Sequence, residues 1–267
     1  MEKIGLIAGN RKFPLIVAEA AQNKGYHIVA IAIKGDTSRG LAKFAGTIYW
    51  LGLHEFSRLF SILKEEGITR AIMAGQISPH RLFSREVQRC AELQQMLSGL
   101  KDKKADTIFN AIAQKLQESG IELLSSIVFI KELLPGIGVL TSIEPDPETL
   151  EDIYFGFETA RAIAAMDIGQ TVAVKEKAVV AVEALEGTDN LIRRAGKISG
   201  GSMTVVKVAK PKQDLRFDVP VVGLSTVKNL IKARAKCLAF EAGKTLFIDK
   251  QQAVSLADRK GLAIVAI

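Results

Sequence analysis

The chain has 267 residues, of which 48% are hydrophobic, with Lys+Arg 36 against Asp+Glu 29 and a formal net charge of +7. That length favours two domains over one, and no apolar run approaches the roughly 20 residues that span a bilayer. Two cysteines, Cys90 and Cys237, and three histidines are too few for a disulfide framework or a zinc site, so any metal is expected on oxygen ligands, and the positive charge favours an anionic partner.

In chain order, residues 3–8 read as an apolar strand, followed by the loop Gly9-Asn10-Arg11-Lys12-Phe13-Pro14 and a helix over 15–24 with Glu19, Gln22 and Asn23 on one face. Strands are expected over 26–33, 47–51 and 70–75, and Phe56, Leu59, Phe60 and Leu63 mark a helix that Gly67 ends. This alternation predicts a Rossmann-like parallel sheet with crossover helices, spanning residues 1–133. Gly9 and Gly75, with Asn10 and Gln76 beside them, then fall on the carboxyl edge, where ligands sit in such sheets. Gly5 and Gly9 do not form the dinucleotide fingerprint, and Asp36 is the acid near the end of the second strand, so a phosphate or sugar is preferred there over a nicotinamide cofactor. Arg81, Arg85, Arg89, Lys101, Lys103 and Lys104 lack interleaved aromatics and read as solvated, so no nucleic-acid partner is expected. Ala105, Ile108, Phe109, Ile112 and Leu116 define a further helix.

The pattern is interrupted at 131–137, and residues 138–267 are expected to form a second domain, α/β with a mixed sheet, that carries the main chemistry. Asp146 and Pro147 start a long helix to about residue 166, with Leu150, Ile153, Tyr154 and Phe157 on its buried face. Residues 171–174 and 178–184 form an antiparallel pair, because three residues cannot make a parallel crossover. Val179, Val180, Val182 and Ala184 look like buried strand running into the acidic turn Glu186-Gly187-Thr188-Asp189, and then a short helix from Leu191 to Ala195 closed by Gly196. Carboxylates, a hydroxyl, helix-start amides, Arg193 and Arg194 crowd this rim, an inventory suited to a hard cation and an anion together. Thr188 or Asp189 as a plain N-cap with solvated arginines is the alternative. A second cluster follows at 210–220, where Leu215, Phe217 and Val219 alternate with Arg216 and Asp218; read as a strand, this puts Arg216 and Asp218 on one face. Ser225 is expected to cap the next helix, Asp249 the last one, and Gly261 to stop it.

Five motifs carry a resemblance: Gly5-Leu6-Ile7-Ala8-Gly9 with Phe13-Pro14; Met73-Ala74-Gly75-Gln76; Asp167-Ile168-Gly169-Gln170; Glu183-Ala184-Leu185-Glu186-Gly187-Thr188-Asp189; and Lys210-Pro211-x-Gln213-Asp214-x-Arg216-Phe217-Asp218-x-Pro220. In order, and over essentially the whole chain, they resemble the UDP-2,3-diacylglucosamine pyrophosphatase family of lipid A synthesis, the type without metallophosphoesterase motifs. The missing apolar run and a start without signal-peptide features lead us to expect a cytoplasmic protein, and the resemblance implies a two-domain enzyme that uses a divalent cation, expected to be Mg2+, to split UDP-2,3-diacylglucosamine into lipid X and UMP in a cleft between its domains. The UDP-activated lipid would be the partner, with transient contact to the inner face of a membrane and room for a homodimer. Asp218, Arg216 and Asp189 are expected to be catalytic, with Asp218, Asp189 and Glu186 toward the metal. Gly9, Asn10, Gly75, Gln76, Gln170, Gly187, Thr188, Arg193, Lys210 and Gln213 are expected toward substrate. Relatives commonly carry a second glycine in the first loop, where this chain has Asn10-Arg11-Lys12. A nucleotide-sugar binding protein without turnover, a nicotinamide oxidoreductase and an RNA scaffold are the alternative classes.

Overall fold

The computed structural model describes residues 1–75, 77, 94, 95, 98–100 and 105–267. Contacts divide the chain into a first unit, Met1–Lys131 with Asp214–Asp218, and a second, Glu132–Gln213 with Val219–Ile267.

The first unit is a five-stranded sheet of β1 (Lys3–Ala8), β2 (His27–Ile33), β3 (Thr47–Leu51), β4 (Arg70–Ala74) and β5 (Glu122–Leu123), in the order β3-β2-β1-β4-β5. Every pairing is parallel, and the central strands β1, β2 and β4 are almost unbroken apolar sequence buried on both faces, as parallel strands should be. The strand order reverses between β1 and β4, so the loops at Gly9 and Gly75 leave the sheet at its topological switch point. Helix α1 (Phe13–Asn23) starts with Pro14 in its first turn. Helix α2 covers Arg58–Glu65, two residues later than the Phe56 start expected, because Glu55 accepts a hydrogen bond from the Gly52 amide (3.0 Å) and tightens the preceding turn into a 3-10 helix. Helix α3 (Ala105–Glu118) supplies Ile108, Ile112 and Leu116 to a core shared with Leu59, Leu63 and Met73. The basic residues Arg81, Arg85, Arg89, Lys101, Lys103 and Lys104 lie outside the described residues.

The second unit holds a six-stranded mixed sheet, order β6-β13-β11-β9-β7-β8. Its strands are β6 (Gly138–Val139), β7 (Thr171–Lys175), β8 (Ala178–Val182), β9 (Thr204–Lys207), β11 (Cys237–Phe240) and β13 (Ala263–Ala266); β10 (Val221–Gly223) and β12 (Leu246–Ile248) form a separate parallel pair. β9, β11 and β13 are mutually parallel, whereas β7 runs antiparallel to both β9 and β8. The hairpin between β7 and β8 places Glu176 (φ 52) and Lys177 (φ 58) in the left-handed region without glycine. Buried Asp152 stabilises it by accepting both turn amides, Lys177 N–H at 2.7 Å and Glu176 N–H at 3.3 Å.

Four expectations require correction. β8 is an edge strand, so Val179 is 41% exposed and Ala181 is its buried residue, in place of the fully buried run expected. Helix α4 (Pro147–Ala165) begins as expected, its Asp146 carboxylate capping the Thr149 amide (2.7 Å), but its buried stripe is Thr149, Asp152, Ile153, Gly156, Ala160, Ile163 and Ala164. Leu150 and Tyr154 lie outside that stripe because Gly156 packs onto Val206 and Val174 and draws the small-residue face to the sheet. Helix α5 (Thr188–Ser199) is twelve residues long and runs straight through Gly196 to an αL cap at Gly200. Gly196 serves packing, since a Cβ there would lie 2.7 Å from the Cβ of Ala233 at the end of α6 (Leu224–Lys232). α6 follows β10 directly through Gly223, so Ser225 falls inside its first turn instead of capping it. Asp249 occupies the N-cap position of α7 (Lys250–Arg259) without a side-chain cap bond, and Gly261 (φ 71) follows its end.

Candidate functional site

In the first unit the predicted loops come together through backbone. The Gly9 amide donates to the Ala74 carbonyl at 2.8 Å, and Thr37 Oγ1 donates to the Ala8 carbonyl (2.5 Å) while accepting from the Ile33 amide (2.9 Å). Gly75 has φ 80, and a Cβ on it would stand 2.6 Å from the Asn10 carbonyl oxygen and 3.1 Å from the carbonyl carbon of Gly9. Only glycine meets both demands, the left-handed backbone and the approach of the neighbouring loop. Gln76 lies outside the described residues.

The same unit receives residues 214–218. No strand forms there: the amides of Phe217 and Asp218 both donate to the Asp214 carbonyl (3.2 and 2.9 Å), which makes a turn. The shared strand face expected for Arg216 and Asp218 is therefore corrected. Apolar alternation looked like a strand, but Phe217 is the anchor of a turn: it is buried in the first unit's core with its ring centroid 5.4 Å from that of Phe109. The Leu215 carbonyl accepts from the amide (2.8 Å) and hydroxyl (2.9 Å) of Ser126. Arg216 grips Asp214 with two nitrogens, Nε at 3.0 Å and one terminal nitrogen at 2.6 Å, and that nitrogen also reaches Asn110 Oδ1 at 3.4 Å. The guanidinium holds the Asp214 carboxyl below the usual carboxylate range, aided by the Arg216 amide and opposed by burial. Arg216 also lines a hollow of about 350 Å³ with Ala113, Gln117, Ile121 and Leu123.

The second unit concentrates charge at the carboxyl edge of its sheet. Residues at the ends of β8, β9 and β11 and at the start of β7 meet there, and several are buried: Thr171 0%, Lys207 5%, Glu183 7% and Glu241 9%. Thr188, first residue of α5, donates to Glu183 Oε1 (2.8 Å) and accepts from Lys207 Nζ (2.9 Å), linking a buried acid and a buried base through one hydroxyl. Glu241 accepts from the Ala209 amide (2.9 Å) and from Lys244 (2.7 Å). Lys210 pairs with Asp167 at 2.8 Å, and the Gln213 side chain accepts the Lys210 amide at 2.8 Å, which shapes the start of the 210–220 segment. Gly169 lies against Glu183 so closely that a Cβ would be 2.0 Å from its carbonyl oxygen. The Gln170 amide faces Glu183 Oε2 at 3.4 Å, while Gln170 Oε1 is buried with no hydrogen-bond partner among the described residues. A buried acceptor left in that state costs about 1–3 kcal/mol, so this oxygen calls for a donor from a ligand or solvent.

Of the acids expected on metal, Glu186 accepts from Arg194 (2.6 Å) and from the Ala184 amide (3.1 Å), and Arg194 depresses its carboxyl from the ordinary value. Asp189 is half-buried in the first turn of α5. Among the described residues no group of three His, Cys, Asp or Glu side chains is arranged to hold a metal ion. Glu186 is thus committed to Arg194 and the Ala184 amide, and these acids do not form a closed protein cage for a cation. Gly187 has φ 80 and precedes α5 without a side-chain cap, which corrects the plain N-cap reading of Thr188: its hydroxyl is committed to Glu183 and Lys207. Arg193 donates from Nε to the Asp189 carbonyl (3.2 Å) and lies farther along the helix. Lys207 and Glu241 were missed by sequence reasoning; the available signal was a charged residue ending an otherwise apolar strand in each case.

The chain is an α/β protein of two contact units, the first with a glycine-built switch point and the second with buried ionic groups and an unsatisfied amide oxygen at one sheet edge. The N-terminal domain model of the LpxI family matches residues 3–133 and the C-terminal domain model matches residues 136–265, so the chain belongs to the LpxI family. It is similar to the UDP-2,3-diacylglucosamine pyrophosphatase LpxI of Caulobacter vibrioides, 28% identical over 276 residues that cover 100% of this chain and 98% of that protein. Among solved structures, phosphoribosylglycinamide synthetase from Anaerococcus prevotii aligns at 12% identity and TM-score 0.27, covering 72% of this chain and 34% of that one. The biotin carboxylase subunit of a pyruvate carboxylase aligns at 15% identity and TM-score 0.29, covering 75% and 42%. This chain thus spans under half the length of both, and likenesses of that size carry no functional inference. No helix among the described residues is long and apolar enough to cross a membrane.

Proposed function

We propose that the protein hydrolyses the diphosphate of UDP-2,3-diacylglucosamine to lipid X and UMP, in lipid A synthesis. The observation that carries this reading is the full-length match to a pyrophosphatase of that substrate, with its family's domain models in the same order. The chemistry of the carboxyl edge supports it. Diphosphate cleavage needs charge on two phosphoryl groups neutralised and a water oriented at phosphorus. Lys207, held by Thr188, and Lys210, held by Asp167, offer fixed cations, and Gln170 Oε1 offers an acceptor for a sugar hydroxyl or the water.

In the same proposal Asp218 orients the attacking water or would bind the metal, both domains contribute to one site in a cleft, and Asp189 and Glu186 would help to hold a Mg2+ ion. Mg2+ would supply charge neutralisation on the phosphoryl oxygens. Arg216 reaches phosphate only by sharing its guanidinium with Asp214, so its part is positional as much as electrostatic. A cytoplasmic location with transient contact to the inner membrane face, and a homodimer, belong to the same proposal. The test is incubation of the purified chain with UDP-2,3-diacylglucosamine and Mg2+, with mass spectrometry for UMP; no UMP above a blank overturns the activity. Full turnover in EDTA, with metal content shown to be negligible, overturns the cation requirement alone.

A further inference from the structure

A second concentration of charge lies in the second unit, away from the Glu183, Thr188 and Lys207 cluster. α5 rises about 18 Å from Thr188 to its end, at about 1.5 Å per residue over twelve residues, and its last turns face the end of α6. Between them is a hollow of about 810 Å³ lined by Asn190, Arg193, Arg194, Lys197, Lys232 and Arg234, with Ile198, 62% exposed, on its wall. Its Lys197, Lys232 and Arg234 side lies by Gly200 and Gly201 at the amino end of β9, whereas Thr188 and Lys207 mark the carboxyl end of the same strand; Asn190, Arg193 and Arg194 line the side nearer that end.

Charge in the hollow is unbalanced. Arg194 is paired with Glu186, but Lys197, Lys232 and Arg234 form no ion pair with any described residue, and the Arg193 Nε bond goes to a backbone carbonyl. Two helix C-termini bring about half a negative charge each, together about one charge against four unpaired cations. Countering the helix dipoles therefore accounts for only part of this set. The floor is closely packed as well as basic. A Cβ on Gly196 would meet Ala233 at 2.7 Å, one on Gly201 would meet the Arg234 Cβ at 2.8 Å, and the Ser202 amide donates to the Arg234 carbonyl at 2.7 Å. Arg234 itself has φ 55, a left-handed backbone for a non-glycine residue. Cations lining a hollow within the usual size range for small ligands suit a multiply charged anion with oxygens on more than one side, which is phosphoryl chemistry.

We propose that this hollow is a binding site for a phosphoryl-bearing anion, distinct from the proposed catalytic cluster. The ligand is a soluble phosphorylated molecule or the headgroup of an acidic phospholipid, and both present the same phosphoryl oxygens to Lys197, Lys232 and Arg234. The inference stands on the hollow's own residues and does not rest on the proposed activity.

The test compares the parent chain with a Lys197→Ala, Lys232→Ala, Arg234→Ala triple variant, all three exposed residues. Inorganic pyrophosphate is titrated calorimetrically in metal-free buffer, and cosedimentation is measured with phosphatidylglycerol and with phosphatidylcholine vesicles. The triple variant is expected to weaken binding about tenfold or more, because three charge-assisted contacts are removed. Its UMP release from micellar substrate is expected to stay within about twofold of the parent, as for surface changes remote from a site. Loss of pyrophosphate binding identifies a soluble ligand; loss of phosphatidylglycerol cosedimentation alone identifies a headgroup. Equal binding of both probes by parent and variant, or a parent that binds neither, overturns the proposal. If melting curves show the triple variant unfolded, single Lys232→Glu is read in the same two assays with the same outcomes.

Discussion

The two sheets finish their carboxyl edges in different materials. In the first unit the edge at β1 and β4 is backbone: Gly9 and Gly75 pass so closely that a methyl group on Gly75 would press on the Asn10 carbonyl at 2.6 Å. In the second, the edge is buried side chain, with Glu183, Thr188 and Lys207 in one chain of hydrogen bonds and Glu241 anchoring Lys244. Backbone can cradle an anion only if nothing stands between strand ends, so glycine is required. Buried charges, in contrast, require partners supplied from several segments at once. The first unit's charged chemistry arrives with residues 214–218, which the chain lends from the second half.

The largest expected effect tests that loan. Asp218→Asn should lower turnover on the order of 10²-fold or more, with little change in melting temperature, because a group acting in the transition state can be lost without loss of packing. A fall in melting temperature with turnover preserved in the folded fraction would make Asp218 a structural residue of the turn and return the chemistry to the second unit.

Glycine substitutions probe the backbone half of the contrast. Gly75→Ala should destabilise the first unit by about 2 kcal/mol or more, combining the left-handed penalty with the clash at Asn10. Gly169→Ala, whose methyl would fall 2.0 Å from the Glu183 carbonyl oxygen, should cost at least as much in the second unit and displace Gln170. Urea unfolding with midpoint and slope measured for each variant checks both, and an unchanged midpoint for Gly75→Ala would show that the loops can part at little cost.

Lys207→Met keeps the length of a buried side chain and removes its donor to Thr188. Loss of about 1–3 kcal/mol is expected, the cost of a buried hydrogen-bonding group left unmatched. Equal stability of variant and parent in the same urea measurement would mean that solvent or a neighbouring group replaces the ammonium.

The smallest effect is a pH effect. Arg216 depresses the Asp214 carboxyl in the folded protein, so the pair stabilises the turn fully above the unfolded carboxylate value of about 3.9. That contribution is lost as pH falls through the lower folded value. Both side chains are partly exposed, 28% and 39%, so screening keeps the effect under about 1 kcal/mol. Melting curves from pH 6 to pH 2.5 should show Asp214→Asn and parent converging at the acid end; a constant difference across that range would remove the ion pair as its cause.

Local physics made much of the molecule legible. Apolar runs with glycine breaks placed β1 to β4, and the three-residue connection at 175–177 required the antiparallel β7 and β8 pair, since a parallel return cannot be made in so few residues. Gly9 and Gly75 were readable as an edge pair because strand alternation alone puts their loops on one side of a parallel sheet. What misled was weight without context: Leu150 and Tyr154 suggested the buried face of α4, but Gly156 and Ala160 let the helix approach the sheet and so define that face.

By itself the sequence determined the parallel sheet of the first half, the mixed sheet of the second, and the motifs that mark membership of the family, because periodicity, turn chemistry and short spacings act within a few residues of one another. Only the tertiary structure decided that Phe217 turns into the first unit's core, that Arg216 is gripped by Asp214, and that Lys207 meets Glu183 through Thr188. Lys207 lies 19 positions from Thr188, and Phe217 packs against a helix about a hundred residues away. Such partners are chosen by the burial of a ring or a charge and by the strand order that brings the ends together, neither of which leaves a mark on local sequence.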